Sequence, residues 1–235
     1  MPRVVPVLAL LLACACKHSG DDTGDSAGDD TPGLTGSAST GEADDTGSTG
    51  GTGYTGDPNT TTGDTTGAPD DDSIWKTPYC HPVKDGPAWP APFPGWEDEV
   101  LVLVNAARAA GHDCDTMGKF GASPPLTMHP SLRCAARKHA SDMATRDFFD
   151  HINPSGETFI DRILLAGYGS YAEIGENIAG GLDIDDPKVA VDGWLASDGH
   201  CANIMNPFYT EFGAGAYEGP GELTFYWTQE FGRPN

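Results

Sequence analysis

The run Glu211-Phe-Gly-Ala-Gly-Ala-Tyr-Glu-Gly-Pro-Gly-Glu-Leu-Thr-Phe-Tyr-Trp-Thr-Gln-Glu-Phe231 decides the fold class. Residues 223–231 are dense in aromatic and β-branched side chains, which suit a pleated, packed surface. The preceding segment, 211–217, is joined to them by Glu-Gly-Pro-Gly, a turn signal, so the pair is predicted to form a β-hairpin. Upstream the period changes from two to 3.6. Residues 131–146 place Leu132, Ala135, Ala136, His139, Ala140 and Met143 on one face, which predicts a helix with Ser131 as its cap after Pro130. Residues 96–110 place Val100, Leu103, Val104 and Ala107 at helical spacing, carry Glu97, Asp98 and Glu99 in the first turn, and stop at Gly111. Shorter helices are expected over 158–166, ending at Gly167, and over 187–197, starting at Pro187 behind Asp185 and Asp186. Helices segregated from an antiparallel hairpin define an α+β domain.

Working outward, residues 75–95 contain Pro78, Pro82, Pro87, Pro90, Pro92 and Pro94, which argues against a helix and for an extended arm over the surface. Residues 17–72 are almost wholly Gly, Ser, Thr, Asp and Pro, with 13 acidic residues against one lysine. Such a segment cannot bury enough apolar surface to offset its ordering entropy, and like charge extends it, so it is expected to be a disordered spacer. Residues 1–16 hold one basic residue, Arg3, then the apolar run Val4-Val-Pro-Val-Leu-Ala-Leu-Leu-Leu-Ala13, too short for a permanent membrane span and suited to a signal peptide. Leu11-Leu-Ala-Cys14 resembles the lipobox of bacterial lipoproteins. Cys14 is therefore the expected acylation site, with Cys16 as second choice. The boundaries that follow are 1–16 signal peptide, 17–72 linker, 73–95 arm and 96–235 globular domain.

The sequence carries a formal net charge of −22. Residues 73–235 hold 11 lysines and arginines against 22 acidic residues, which argues against nucleic-acid binding and against adhesion to anionic lipid. Membrane attachment therefore rests on acylation, and the expected location is outside the cell, lipid-anchored at the envelope. Cys80, Cys114, Cys134 and Cys201 form an even set with no CxxC pair, which in an exported chain favours two disulfides over zinc ligands. Of three pairings, the preferred one joins Cys114 to Cys134 and Cys80 to Cys201, each contributing roughly 3 to 5 kcal/mol by loop entropy.

Several stretches in fixed order resemble the bacterial branch of the CAP superfamily (cysteine-rich secretory protein, antigen 5, pathogenesis-related 1; SCP-like). They are Leu103-Val-Asn-Ala-Ala-Arg108, the helix through Ala135 and Ala144, Phe148-Phe-Asp-His151, Gly175-Glu-Asn-Ile-Ala179, Trp194-Leu-Ala-Ser-Asp-Gly-His200 with Ala202-Asn-Ile-Met-Asn206, and Phe212-Gly-Ala-Gly-Ala-Tyr217 with Trp227-Thr-Gln-Glu-Phe231. The resemblance implies a three-layer α-β-α sandwich with a mainly antiparallel sheet. It also implies a cleft where His151, Glu176 and His200 converge. At the position of the family's second acid, three residues after Trp194, this chain has Ser197.

Two neutral imidazoles and one carboxylate form a set suited to zinc or another divalent ion, and equally to a hydrogen-bonded cluster without metal. His139, on the apolar face of its helix, is read as a core residue. Cys201 beside His200 and Ser197 before it are read as a disulfide partner and a loop cap, with no catalytic residue assigned, because no nucleophile elbow surrounds the serine. The expected function is a non-catalytic envelope binding module for a small molecule, lipid or peptide. The competing reading is a metal-dependent hydrolase with Glu176 as general base.

Overall fold

The computed structural model describes residues 15–19 and 71–235. The signal-peptide core, Cys14 and most of the acidic spacer lie outside the described residues. In chain order the elements are β1 (Ala15–Ser19), α1 (Asp71–Ile74), α2 (Phe93–Ala110), β2 (His112–Asp113), β3 (Lys119–Phe120), β4 (Thr127–Met128), α3 (Pro130–Arg146), α4 (Phe159–Leu165), β5 (Tyr171–Gly181), α5 (Pro187–Leu195), α6 (Asp198–Met205), β6 (Glu211–Glu218) and β7 (Phe225–Pro234).

The expected hairpin is present as β6 and β7, and it forms the middle of a five-stranded sheet in the order β1-β5-β7-β6-β4. All pairs are antiparallel except β4 with β6. Register assigns the faces. Gly213 and Gly215 point at α3 so closely that an added Cβ would lie 2.1 Å from the carbonyl carbon of Leu132 and 2.5 Å from that of Ala136. The opposite face carries Ala216 and its partner Trp227, which stacks on Trp96 of α2 at 5.6 Å. With α3 and α4 on one side and α2, α5 and α6 on the other, the sheet is the middle of three layers.

The first helix begins at Phe93, not Trp96, because Pro94 falls within its first turn, where a missing N–H costs nothing. The arm before it is also less extended than its prolines suggest: α1 occupies its start and a 3-10 turn spans His81–Val83. What ties it down is Arg137 of α3. The guanidinium donates to Val83 O at 3.0 Å, pairs with Asp85 at 2.8 Å, and lies 5.2 Å from the Trp75 and Trp89 ring centres. Glu97, wholly buried, accepts from Arg137, Arg133 and the Trp89 indole.

The expected disulfide pairing is corrected. Cys80 joins Cys134 and Cys114 joins Cys201, with Cα separations of 5.6 and 5.5 Å. The arm is drawn to α3 by Arg137, which brings Cys80 to Cys134 one helical turn away from it. The loop after α2 instead lies against α6, where Thr116 donates to Asp198, and that contact brings Cys114 to Cys201.

Besides the short α1, β2, β3 and β4, the elements β1, β5 and α6 escaped the sequence reading. Eight of the eleven residues of β5 are Gly, Ala, Glu or Asn, of low strand propensity, and β7 pairs along its length. The helix expected over 187–197 is interrupted at 196–197 and restarts as α6, with Ser197 in an extended conformation at its N-cap position but making no side-chain cap bond. β1 straddles the expected boundary between signal peptide and spacer, pairing Cys16 with Glu176 on the outer edge of β5.

Candidate functional site

Glu176 and Asn177, adjacent on β5, point to opposite faces of the sheet. Glu176 faces the α3–α4 layer, is fully buried, and has both oxygens engaged: Oε1 lies 2.6 Å from His151 Nδ1 and Oε2 accepts from Arg162 Nη2 at 2.8 Å. The same Arg162 Nη2 donates to His151 O at 2.9 Å, and its Nη1 to Glu157 O at 3.1 Å. One guanidinium thus fixes both the carboxylate and the loop that delivers His151.

His139 of α3 lies in the same pocket, its Nε2 3.9 Å from Glu176 Oε1. Burial, with Arg162 and His151 adding to it, lowers its imidazole to about 3, so it stays neutral. It is the core residue expected, but one packed against the site. Burial alone would push the Glu176 carboxyl up. Arg162, His139 and the His151 hydrogen bond outweigh it and hold the group well below the usual carboxylate range. An ionised Glu176 can only accept, so His151 Nδ1 carries the proton and the ring tautomer is fixed.

Directly across the strand pair from Glu176 stands Glu230 of β7. It too is wholly buried. Burial and the facing Glu176 carboxylate push its carboxyl well above the ordinary range, against the pull of Arg162. Glu230 therefore favours its neutral form, and neither of its oxygens has a hydrogen-bond partner among the described residues.

Asn177 faces the other layer. Its Nδ2 donates to His200 O at 3.1 Å and to Gln229 Oε1 at 3.0 Å, and its Oδ1 accepts from Asn203 Nδ2 at 2.9 Å. The tie between His200 and β5 is thus the histidine's backbone carbonyl. The C-terminal end of α6 is held by buried Arg108, which donates to Ile204 O, Asn206 O, Tyr209 O and Pro124 O. Beside α6 a cavity of about 450 Å³ is lined by Met117, Phe120, Ala202, Asn203 and Phe208 among others, and the Cys114–Cys201 bridge joins its two sides.

The structure therefore unites His151 with Glu176 and places His200 in the opposite helix layer, with Ser197 at the start of the same helix. For the expected metal set, each Glu176 oxygen already accepts one hydrogen bond, from His151 and from Arg162. Among the described residues no three His, Cys, Asp or Glu side chains form a group able to hold a metal ion. The donor set does not fit a three-residue metal centre.

Two cluster members were missed in the sequence. Arg162 lies with Phe159, Ile163 and Ala166 at helical spacing, so a cation on the apolar stripe was visible. Glu230 lies on a strand covered on both faces, where an acid must be paired or protonated.

This chain belongs to the cysteine-rich secretory protein (CAP) family, whose profile matches residues 101–231, more than half of its length. It is 34% identical over 142 residues to YkwD of Bacillus subtilis, covering 60% of this chain and 49% of that protein. It is 36% identical over 135 residues to the membrane protein YlbC of the same organism, covering 57% of this chain and 34% of YlbC. The chain thus spans half or less of the curated relatives it matches. Among solved structures, an extracellular SCP-domain protein of Bacillus anthracis matches with a TM-score of 0.51 at 26% identity, over 70% of this chain and 50% of that one.

Proposed function

We propose that this chain is an exported, non-catalytic binding module of the cell envelope, anchored through acylated Cys14, with its ligand seated along β5 between the His151 side and α6. The observation that carries the reading is the state of Glu176: a buried carboxylate with both oxygens engaged is a structural anion, not a base open to a substrate proton. The likeness to an extracellular SCP-domain protein of Bacillus anthracis supports export. Ser197 in place of a second acid removes a further catalytic group.

The test is turnover. The purified chain, with and without added zinc, is expected to hydrolyse no member of a broad peptide and ester panel, and the double variant His151→Ala/His200→Ala to bind zinc no differently from wild type. Turnover abolished by Glu176→Gln would replace this reading with the hydrolase one. Intact-mass measurement of the exported protein is expected to show a diacyl or triacyl addition at Cys14, and an unmodified cysteine there rejects the anchor.

A further inference from the structure

The exposed edge of a sheet offers a row of unpaired N–H and C=O groups, and extended chains bind there by adding a strand. β5 is bonded to β7 on one side, so its other side is such an edge. In this chain that side carries β1, antiparallel, with Ala15 opposite Asn177, Lys17 opposite Gly175 and Ser19 opposite Glu173. Residues 15–19 are separated in sequence from the domain by the long acidic stretch, and they form the edge strand of the sheet rather than part of its central hairpin. They occupy the stretch of β5 that holds Glu176 and Asn177, and they pack against α6.

We propose that the outer edge of β5 is a docking site for extended polypeptide, and that residues 15–19 are a tethered, intramolecular occupant that an incoming peptide must displace. The ligand class follows from the surroundings. Backbone pairing over residues 173–177 supplies sequence-independent affinity. Alternate side chains of the bound strand would face the two layers. On the α6 side the apolar cavity beside Asn203 takes a hydrophobic residue, since Asn203 both lines that cavity and bonds to Asn177 Oδ1 and Glu176 O. A tethered segment competes at an effective concentration of about 1 mM, so against an intrinsic Kd of about 100 μM it weakens a free peptide roughly tenfold.

The inference rests on the binding-module reading, and its test is separate from that one. In the full chain, Lys17→Pro/His18→Pro breaks the β1 ladder whichever of the two residues faces β5, because alternate residues of an antiparallel strand aim their N–H groups at the partner. Hydrogen exchange at residues 173–177 is expected to quicken at least tenfold in the variant while β6 and β7 stay protected. A labelled peptide of residues 14–20, carrying Cys14→Ser and Cys16→Ser, is expected to bind the variant about tenfold more tightly than wild type. N-methylation of one alternate set of its amides should abolish binding and methylation of the other set should not. Equal exchange at 173–177 in both proteins, or equal binding by both methylated peptides, overturns the proposal. Hydrolysis of the panel above would sink the module reading while leaving the exchange result standing.

Discussion

Replacing Arg162 by methionine tests the charge arrangement at its centre. The substitution keeps most of the buried aliphatic volume but removes the donors to Glu176 Oε2, His151 O and Glu157 O. It leaves Glu176 sealed from water opposite Glu230. Breaking a buried ion pair from one side costs about 3–5 kcal/mol, much of it the desolvation of the stranded partner. The pH dependence has a definite sign. In the wild type the Glu176 carboxyl lies below its ordinary value of 4.5, so its contribution is present above that value and is lost only as pH falls through the lower folded one. In the variant, burial and Glu230 raise it, and the folded state can relieve the stranded charge by taking up a proton. The stability deficit is therefore largest near neutral pH and narrows in acid. Urea unfolding followed by tryptophan fluorescence at a series of pH values measures this, with unchanged m-values as the check that the unfolded state is the same. The double variant Arg162→Met/Glu176→Gln should recover much of the loss. A deficit below about 1 kcal/mol, or one equal at neutral and acid pH, would refute an ionised Glu176 held by Arg162.

Glu230→Gln should stabilise the protein by on the order of 1–3 kcal/mol at neutral pH, because the wild-type group is raised when folded and so loses stability as the unfolded chain ionises. That gain, read from the same unfolding curves, should vanish as pH falls below the ordinary glutamate range. Gly213→Ala forces a Cβ into the backbone of α3 and should cost about 3 kcal/mol or more in thermal unfolding, while Gly169→Ala, with nothing within 4 Å, should stay within about 0.5 kcal/mol. Non-reducing peptide mapping should recover Cys80 with Cys134 and Cys114 with Cys201, and Cys114→Ser/Cys201→Ser should lower stability by about 2–5 kcal/mol.

What was legible in the sequence was what local chemistry sets. The hairpin, the helix stops at Gly111 and Gly167, and the entry to α5 at Asp186 and Pro187 all follow from turn and cap residues within a few positions. Asp186 indeed caps the Lys188 and Val189 amides. β5 was not legible because Tyr171, Ile174 and Ile178 are diluted by eight Gly, Ala, Glu and Asn residues, and its pairing to β7 is a tertiary fact. The disulfide partners were not legible either. Chain proximity of Cys114 to Cys134 suggested a staple, whereas the arm's attachment to Arg137 and the loop's contact with Asp198 are tertiary facts that no spacing encodes.

The same distinction explains how His151 meets Glu176 side chain to side chain while the His200 carbonyl is bonded to Asn177. Motif order reports that they lie near one strand, but strand geometry sends neighbouring side chains to opposite faces. Glu176 went to the α3–α4 layer and met Arg162 and, across the strand pair, a second buried carboxyl, Glu230; Asn177 went to the α6 layer and met the His200 backbone. A site built this way has a charged wall that is internally satisfied and a polar-apolar wall next to a cavity, with the backbone edge of β5 running between them. The strongest groups of these walls already answer one another. The edge itself, with its side chains committed to either layer, is engaged through its main chain, which pairs with β1 over residues 173–177.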